Sequence, residues 1–250
     1  MEEFNGKLEI TGTGLKLIAV ITMLIDHIGA GIIKYNELGY ISIIGDMDLY
    51  TLLRAIGRMA FPIYCYMLVE GFVHTRNIWK YGLRLLAVAV ISELPFNFLF
   101  YKAYLYPGHN NVLWTLLLGL AVMYGLFIVD KSALSPKTNY VLKIIIMIAG
   151  MALADLTKLD YKYAGICCIA VMYSFYSQNA YERLYTIAFG VVILTLLSSR
   201  LEVWAFFILI PFYFYKGHRG ADSKALRTFF YLFYPVHLIA LCAVRYFLNL

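Results

Sequence analysis

The sequence predicts an all-α polytopic membrane protein: a transmembrane helical bundle of about nine spans with a cytoplasmic N-terminus. Three observations carry this. Of 250 residues, 62% are hydrophobic, and the mean hydropathy is +0.73. Only 14% are charged, against roughly 25% in soluble domains, so the chain is too apolar to be wetted all round. The apolar residues also gather into consecutive segments near the ~20 residues that cross a bilayer as a helix.

Residues 1–14 read as a short cytoplasmic segment, and residues 15–250 as a single transmembrane domain. The start carries Glu2, Glu3 and Glu9 against Lys7. It lacks the basic beginning and small-residue cleavage site of a signal peptide, so the first span, 15–35, is expected to be retained. The second span, 49–73, holds Arg54 and Arg58, and the third, 78–100, holds Glu93. The fourth runs over 111–130. The fifth to eighth, 139–156, 162–178, 181–197 and 200–215, are shorter. The ninth, 229–248, carries Pro235 and His237. No internal repeat is visible, which argues against an inverted-repeat transporter. Cys65, Cys167, Cys168 and Cys242 all fall in apolar segments without ligand-like spacing and read as packing residues, not a disulfide framework.

Basic residues orient the bundle by the positive-inside rule. With the N-terminus inside, thirteen lie at inner ends: Lys7, Lys16, Arg76, Lys80, Arg84, Lys131, Lys137, Lys143, Arg183, Lys216, Arg219, Lys224 and Arg227. Six lie outside: Lys34, Lys102, Lys158, Lys162, Arg200 and Arg245. The net charge of +6 is thereby explained by topology, and no nucleic-acid partner is implied. This orientation puts Asp26, His27, Arg54, Arg58 and Glu93 at similar depths, slightly outside the midplane.

Ionisable groups in hydrocarbon cost kilocalories and by default mark function. Asp26 and His27 are adjacent and point apart on their helix, so Asp26 is expected to pair with Arg54 or Arg58 instead. Those arginines are one turn apart on a shared face and could clamp a carbonyl, a phosphate or a developing oxyanion; a purely structural ion-pair network with Asp26 and Glu93 is the alternative. Lys16 and His27 are eleven residues apart, within about 20° of one helix face. A cation at the mouth and a base at depth suit a long anionic ligand, although a snorkelling lysine and a helix-bridging histidine fit as well. Glu70 and His74 form an i,i+4 pair followed by Arg76, Lys80 and Arg84, readable as membrane-surface charge or as a phosphate-docking site. His109, in the loop Tyr106-Pro107-Gly108-His109, is expected to be exposed. His237 follows Pro235, which frees a backbone carbonyl that the imidazole could satisfy. Neither histidine spacing nor any Gly-x-Ser-x-Gly motif supports a metal or a serine-hydrolase site.

Several stretches in order resemble the TraX family of integral membrane acetyltransferases. They include Asp26-His27-Ile28-Gly29, Arg58-Met59-Ala60-Phe61-Pro62, Val69-Glu70-Gly71-Phe72-Val73-His74-Thr75-Arg76 and Ile91-Ser92-Glu93-Leu94-Pro95-Phe96. Asn111-Val112, Asp160-Tyr161, Tyr215-Lys216-Gly217-His218-Arg219-Gly220 and Tyr234-Pro235-Val236-His237-Leu238 follow. The family takes its name from a conjugation-associated enzyme that acetylates the N-terminal amine of F-type pilin. The wider transmembrane acyltransferases carry a basic residue some ten positions before a first-helix histidine, as Lys16 precedes His27. They also carry paired arginines before a proline, echoed by Arg54, Arg58 and Pro62.

The resemblance implies a multi-pass protein of a bacterial-type cytoplasmic membrane, surrounded by lipid. It implies acetyl-CoA as donor on the cytoplasmic side and an acceptor polypeptide or glycan reached through the outer half. His27 would then be the general base, Asp26 would set the electrostatics around it, and Arg58, with Arg54, would stabilise the oxyanion. Lys16, His74 and Arg76, with Glu70 beside them, would form the cofactor site, and Glu93 and His237 would face the acceptor. The rival expectations are a transporter or channel with a buried proton or solute pathway, and a non-catalytic assembly protein of a surface appendage.

Overall fold

Each of the nine apolar segments is helical in the computed structural model, which describes residues 9–250. Most of the expected segment 1–14, with Glu2, Glu3 and Lys7, lies outside the described residues. Seven helical stretches are long and apolar enough to cross a membrane. They are α1 (Gly12–Gly31) with the turn that follows it, α2 (Leu49–Gly57) together with α3 (Ala60–His74), α4 (Ile78–Tyr101), α5 (Val112–Lys131), α6 (Pro136–Leu156), α8 (Ala180–Leu197) and α10 (Lys224–Phe247). The other two segments are shorter. α7 (Lys162–Ser174) has 13 residues, about 20 Å of helix against the ~30 Å of a hydrocarbon core. Residues Arg200–Ile208 wind as a 3-10 helix before α9 (Leu209–Phe214).

The helix starts follow local chemistry. Thr11, Asp48, Asn77, Asn111, Ser135, Asn179 and Ser223 each accept a first-turn N–H on their side-chain oxygen, satisfying donors that no intrahelical carbonyl can reach. The expected helix 49–73 is interrupted at Arg58 and Met59. Pro62 lacks the N–H that would bond the Arg58 carbonyl, and its ring crowds that oxygen. The break leaves Arg58 as the capping residue just past the C-terminus of α2, free to turn inward.

α3 lies at the centre, packed on α1, α5, α7 and α8. Ile63, Cys65, Tyr66 and Val69 of α3 sit in the main core with Leu15, Met123, Ile169 and Ile187. α6 is the opposite case: it buries only Gly150 and Ala154 and leaves Ile145, Ile148, Leu153 and Leu156 exposed, an outward apolar face that suits lipid. A short hairpin, β1 (Ser42–Ile44) and β2 (Met47–Asp48), joins α1 to α2. The bundle thus has two ends. One carries Lys16 and Tyr215, where Ile10 bridges to Tyr215; the other carries Lys34 and the hairpin, where Asn110 bridges to Leu159.

Candidate active site

A cavity of about 270 Å³ opens at the Lys34 end. α1 contributes Asp26 and His27, α2 contributes Arg54 and Gly57, and Arg58 follows at the helix break. Aromatic side chains of α3 and α4, among them Phe61, Tyr64 and Phe100, complete the wall. Lys34, Tyr35, Tyr50 and His109 lie toward its mouth.

Gly57 sets the depth of this cleft. A Cβ at that position would collide with the Asp26 side chain, so only glycine lets α2 approach α1 where the carboxylate emerges. Asp26 then takes both arginines: its Oδ2 accepts from Arg54 Nη1, and its Oδ1 accepts from Arg58 Nη2 at 2.8 Å. Arg58 Nη1 also donates to Glu202 Oε1 and to the Tyr161 hydroxyl oxygen, each at 3.1 Å, and its Nε donates to the Arg54 carbonyl at 3.2 Å. Four of its five N–H donors are therefore committed. Arg54 is the more open of the two, with its side chain 24% exposed against 12% for Arg58, and the only hydrogen bond its guanidinium makes among the described residues is to Asp26.

His27 faces the cavity but makes no bond to Asp26. Its Nδ1 lies 2.7 Å from Nε2 of His237 on α10, and the two rings lie edge to edge and nearly coplanar, 16° apart with centroids 5.0 Å apart, as an in-plane N–H···N bond requires. His237 satisfies a backbone carbonyl other than the one that Pro235 was expected to free. It is that of Phe233, at 2.8 Å, whereas the oxygen that Pro235 would have bonded belongs to Tyr231, four residues earlier.

The sequence pattern described as TraX protein matches residues 11–245. A probable fimbrial assembly protein of Dichelobacter nodosus, FimC of serogroup H1, is 30% identical over 256 residues, covering 94% of this chain and 96% of its own length. The chain belongs to the TraX family. No solved structure matches it. Family and helices together make the chain a multi-pass membrane protein.

The TraX chain brings Asp26, His27, Arg54 and Arg58 into one cavity, with His237 directly behind His27. Glu93 is not among them. Its Oε2 accepts from the Asn111 side-chain amide at 2.5 Å, the Asn111 backbone N–H at 3.3 Å and Trp114 Nε1 at 2.8 Å. Donors at the start of α5 hold the carboxylate away from the arginines, so Glu93 takes no part in the ion-pair network. Glu202 replaces it there, fully buried. A carboxylate inside the apolar segment 200–215 was the sequence signal for it, the same signal that singled out Glu93.

Asp160 and Tyr161 are the other residues whose place in the site sequence spacing did not give. Tyr161 sits in the left-handed region at φ 58° and stacks on Phe61 at 3.7 Å, bringing its hydroxyl to Arg58. His109, expected to be exposed, is half-buried at the mouth, its Nε2 3.4 Å from Asp160 Oδ1. Hydrogen bonding to that carboxylate holds the His109 imidazolium above the usual histidine range.

Lys16, Glu70, His74 and Arg76 gather at the opposite end. Glu70 accepts from the Tyr215 hydroxyl at 2.7 Å, His74 Nε2 lies 3.4 Å from the Tyr176 hydroxyl, and Lys16 Nζ sits 5.7 Å over the Phe230 ring. His74 and Arg76 are exposed. The N–H groups opening α1 are occupied, since Gly12 and Thr13 donate to the carbonyls of His218 and Arg219. Phosphates would therefore be held by side chains. Lys16, Arg76 and Arg219 are the cations there that could do so, with Arg219 already paired to Asp222 at 2.9 Å. Lys16 and His27 are roughly 16 Å apart along α1, and packed core that includes Ala19, Ile63 and Met67 lies between the two ends.

Proposed function

We propose that this chain is an integral membrane acetyltransferase. Acetyl-CoA is taken at the Lys16 end, which faces the cytoplasm of a bacterial-type cell; the packed core between the two ends parts to admit its thioester to His27, and the acetyl group passes to an amine or hydroxyl acceptor in the cavity at the Lys34 end. The observation that carries this reading is His27, whose second ring nitrogen has no protein partner among the described residues and which shares a cavity with the open guanidinium of Arg54.

In this scheme His27 accepts the proton of the attacking amine or hydroxyl as the new bond forms. Arg54 donates to the oxygen that gains charge at the thioester carbon. Arg58 is held by Asp26, Glu202 and Tyr161, so it acts by fixing Asp26, and through Asp26 the pose of Arg54. The proton held by His27 then passes to the departing sulfur. Lys16, His74, Arg76 and Glu70 frame the donor site, where the cations would hold phosphates.

The description of the Dichelobacter nodosus relative as a fimbrial assembly protein supports a surface-appendage setting, with a pilin N-terminus or a surface glycan as acceptor. It equally favours a second reading, a non-catalytic assembly partner. Incubating membranes that contain the chain with radiolabelled acetyl-CoA separates them. The acetyltransferase reading expects chain-dependent label in an envelope polypeptide or glycan. Stable association with fimbrial subunits and no label would establish the assembly role, and CoA-independent solute uptake by proteoliposomes would establish a transporter.

A further inference from the structure

The contact between His27 and His237 carries more than proximity. We propose that His237 is a positioning residue that fixes His27 as the Nδ1–H tautomer and leaves Nε2 as the nitrogen that takes the acceptor's proton.

His237 Nδ1 lies 2.8 Å from the carbonyl oxygen of Phe233. A carbonyl only accepts, so this nitrogen carries the proton. In a neutral imidazole the other nitrogen, Nε2, is then a lone-pair acceptor. His27 Nδ1 lies 2.7 Å from that acceptor, so it is the donor and carries its own proton. The lone pair of neutral His27 consequently sits on Nε2. The chain of bonds runs in one direction, from His27 through His237 to the Phe233 carbonyl, so His237 sets the tautomer of His27.

Two further facts make His237 the group that performs this task. The neighbouring carboxylate, Asp26, has its oxygens on Arg54 and Arg58, so it is not available to orient the imidazole. His27 and His237 are both buried, and His27 is additionally flanked edge-on by Phe100 at 5.3 Å and Tyr234 at 6.0 Å. Few other partners could hold the ring.

The proton balance closes within the pair. When Nε2 takes the acceptor's proton, His27 becomes an imidazolium that donates from Nδ1 to His237 Nε2. That bond stabilises the new charge by charge-assisted hydrogen bonding. The proton on Nε2 is the one returned to the departing sulfur, and His237 ends in its starting state.

The tautomer assignment stands on geometry alone; only its effect on turnover rests on the acetyltransferase reading. Nitrogen-15 NMR of the full chain in lipid nanodiscs reads the tautomer, with His27→Asn used to assign its signals among the five histidines. The expected result is a protonated Nδ1 and a bare Nε2 on His27, which become mixed or inverted in His237→Leu. In transfer assays, His237→Gln should stay within about tenfold of wild type, since its amide can both accept from His27 and donate to Phe233. His237→Leu should lose roughly 10²-fold in kcat, within the range of an acid–base contribution, at unchanged KM for acetyl-CoA. A His27 that carries its proton on Nε2 in the wild-type chain overturns the proposal, as does wild-type turnover in His237→Leu. If the wild-type chain shows the expected tautomer and no acetyl transfer, the acetyltransferase reading fails and the positioning assignment stands.

Discussion

Asp26 and Arg58 are joined at 2.8 Å, one residue along the chain from His27, yet the carboxylate and the imidazole serve different neighbours. Adjacent residues on a helix point about 100° apart. Asp26 turns to α2 and anchors two guanidinium groups, while His27 turns to the cavity and to α10. The site is therefore two units side by side: a structural ion-pair network and a histidine pair.

This division predicts that the two arginines behave differently. Arg58→Ala leaves Glu202 buried without its only hydrogen-bond donor among the described residues and takes from Asp26 one of its two arginines. Breaking a buried pair in this way costs about 3–5 kcal/mol, which thermal unfolding in detergent should register. Arg54→Ala also takes one arginine from Asp26 but leaves Glu202 paired, so it should melt above Arg58→Ala, and it should lose roughly 10²–10³-fold in transfer, as expected for a lost oxyanion donor. Equal melting of both variants would remove the distinction.

Gly57→Ala tests whether the close approach of α2 to α1 builds the site. The added methyl meets Asp26, and overpacking of this kind costs about 1–3 kcal/mol. The variant should unfold earlier than wild type and lose transfer although no reacting group is changed. Wild-type activity and melting would show that α1 and α2 have room to spare.

The mouth of the cavity should respond to pH. His109 gains its partner on folding, so its pKa is raised above the unfolded value. The stability it contributes is fully present below about 6.5, the unfolded histidine value, and is lost as pH rises through the folded pKa. The melting difference between wild type and Asp160→Asn should therefore be larger at the acid side of neutrality and shrink on the alkaline side. A difference that grows with pH would contradict the pair.

At the Lys16 end, phosphate binding by side chains alone should be sensitive to salt. Arg76→Ala should raise the KM for acetyl-CoA more than it lowers kcat, and the effect should fade as ionic strength rises. A Lys16→Ala, Arg76→Ala double variant with wild-type KM would assign these cations to lipid headgroups.

Much of this was legible in the sequence because the membrane imposes simple rules. Apolar segments marked every helix, and charges within them marked Asp26, His27, Arg54, Arg58 and His237. The pairing of Asp26 with the arginines followed from the opposed directions of neighbouring residues. Length discriminates spans less well: α7 and the 200–214 segment are apolar but short, so the seven helices of crossing length could not be told from nine by hydropathy. What remained hidden was long-range pairing. His27 and His237 are 210 residues apart and no periodicity connects them. Tyr161 reaches Arg58 only through a left-handed turn, and Glu93 was misplaced because helical depth fixes a layer but not the direction in which a side chain points.

The most direct test of the central claim compares cells producing the wild-type chain with cells producing His27→Ala, using mass spectrometry of surface peptides and glycans. The account predicts an acetylated species with wild type and its loss with His27→Ala, at equal membrane abundance and equal melting temperature. The same acetylated species at the same level in both cells would contradict it.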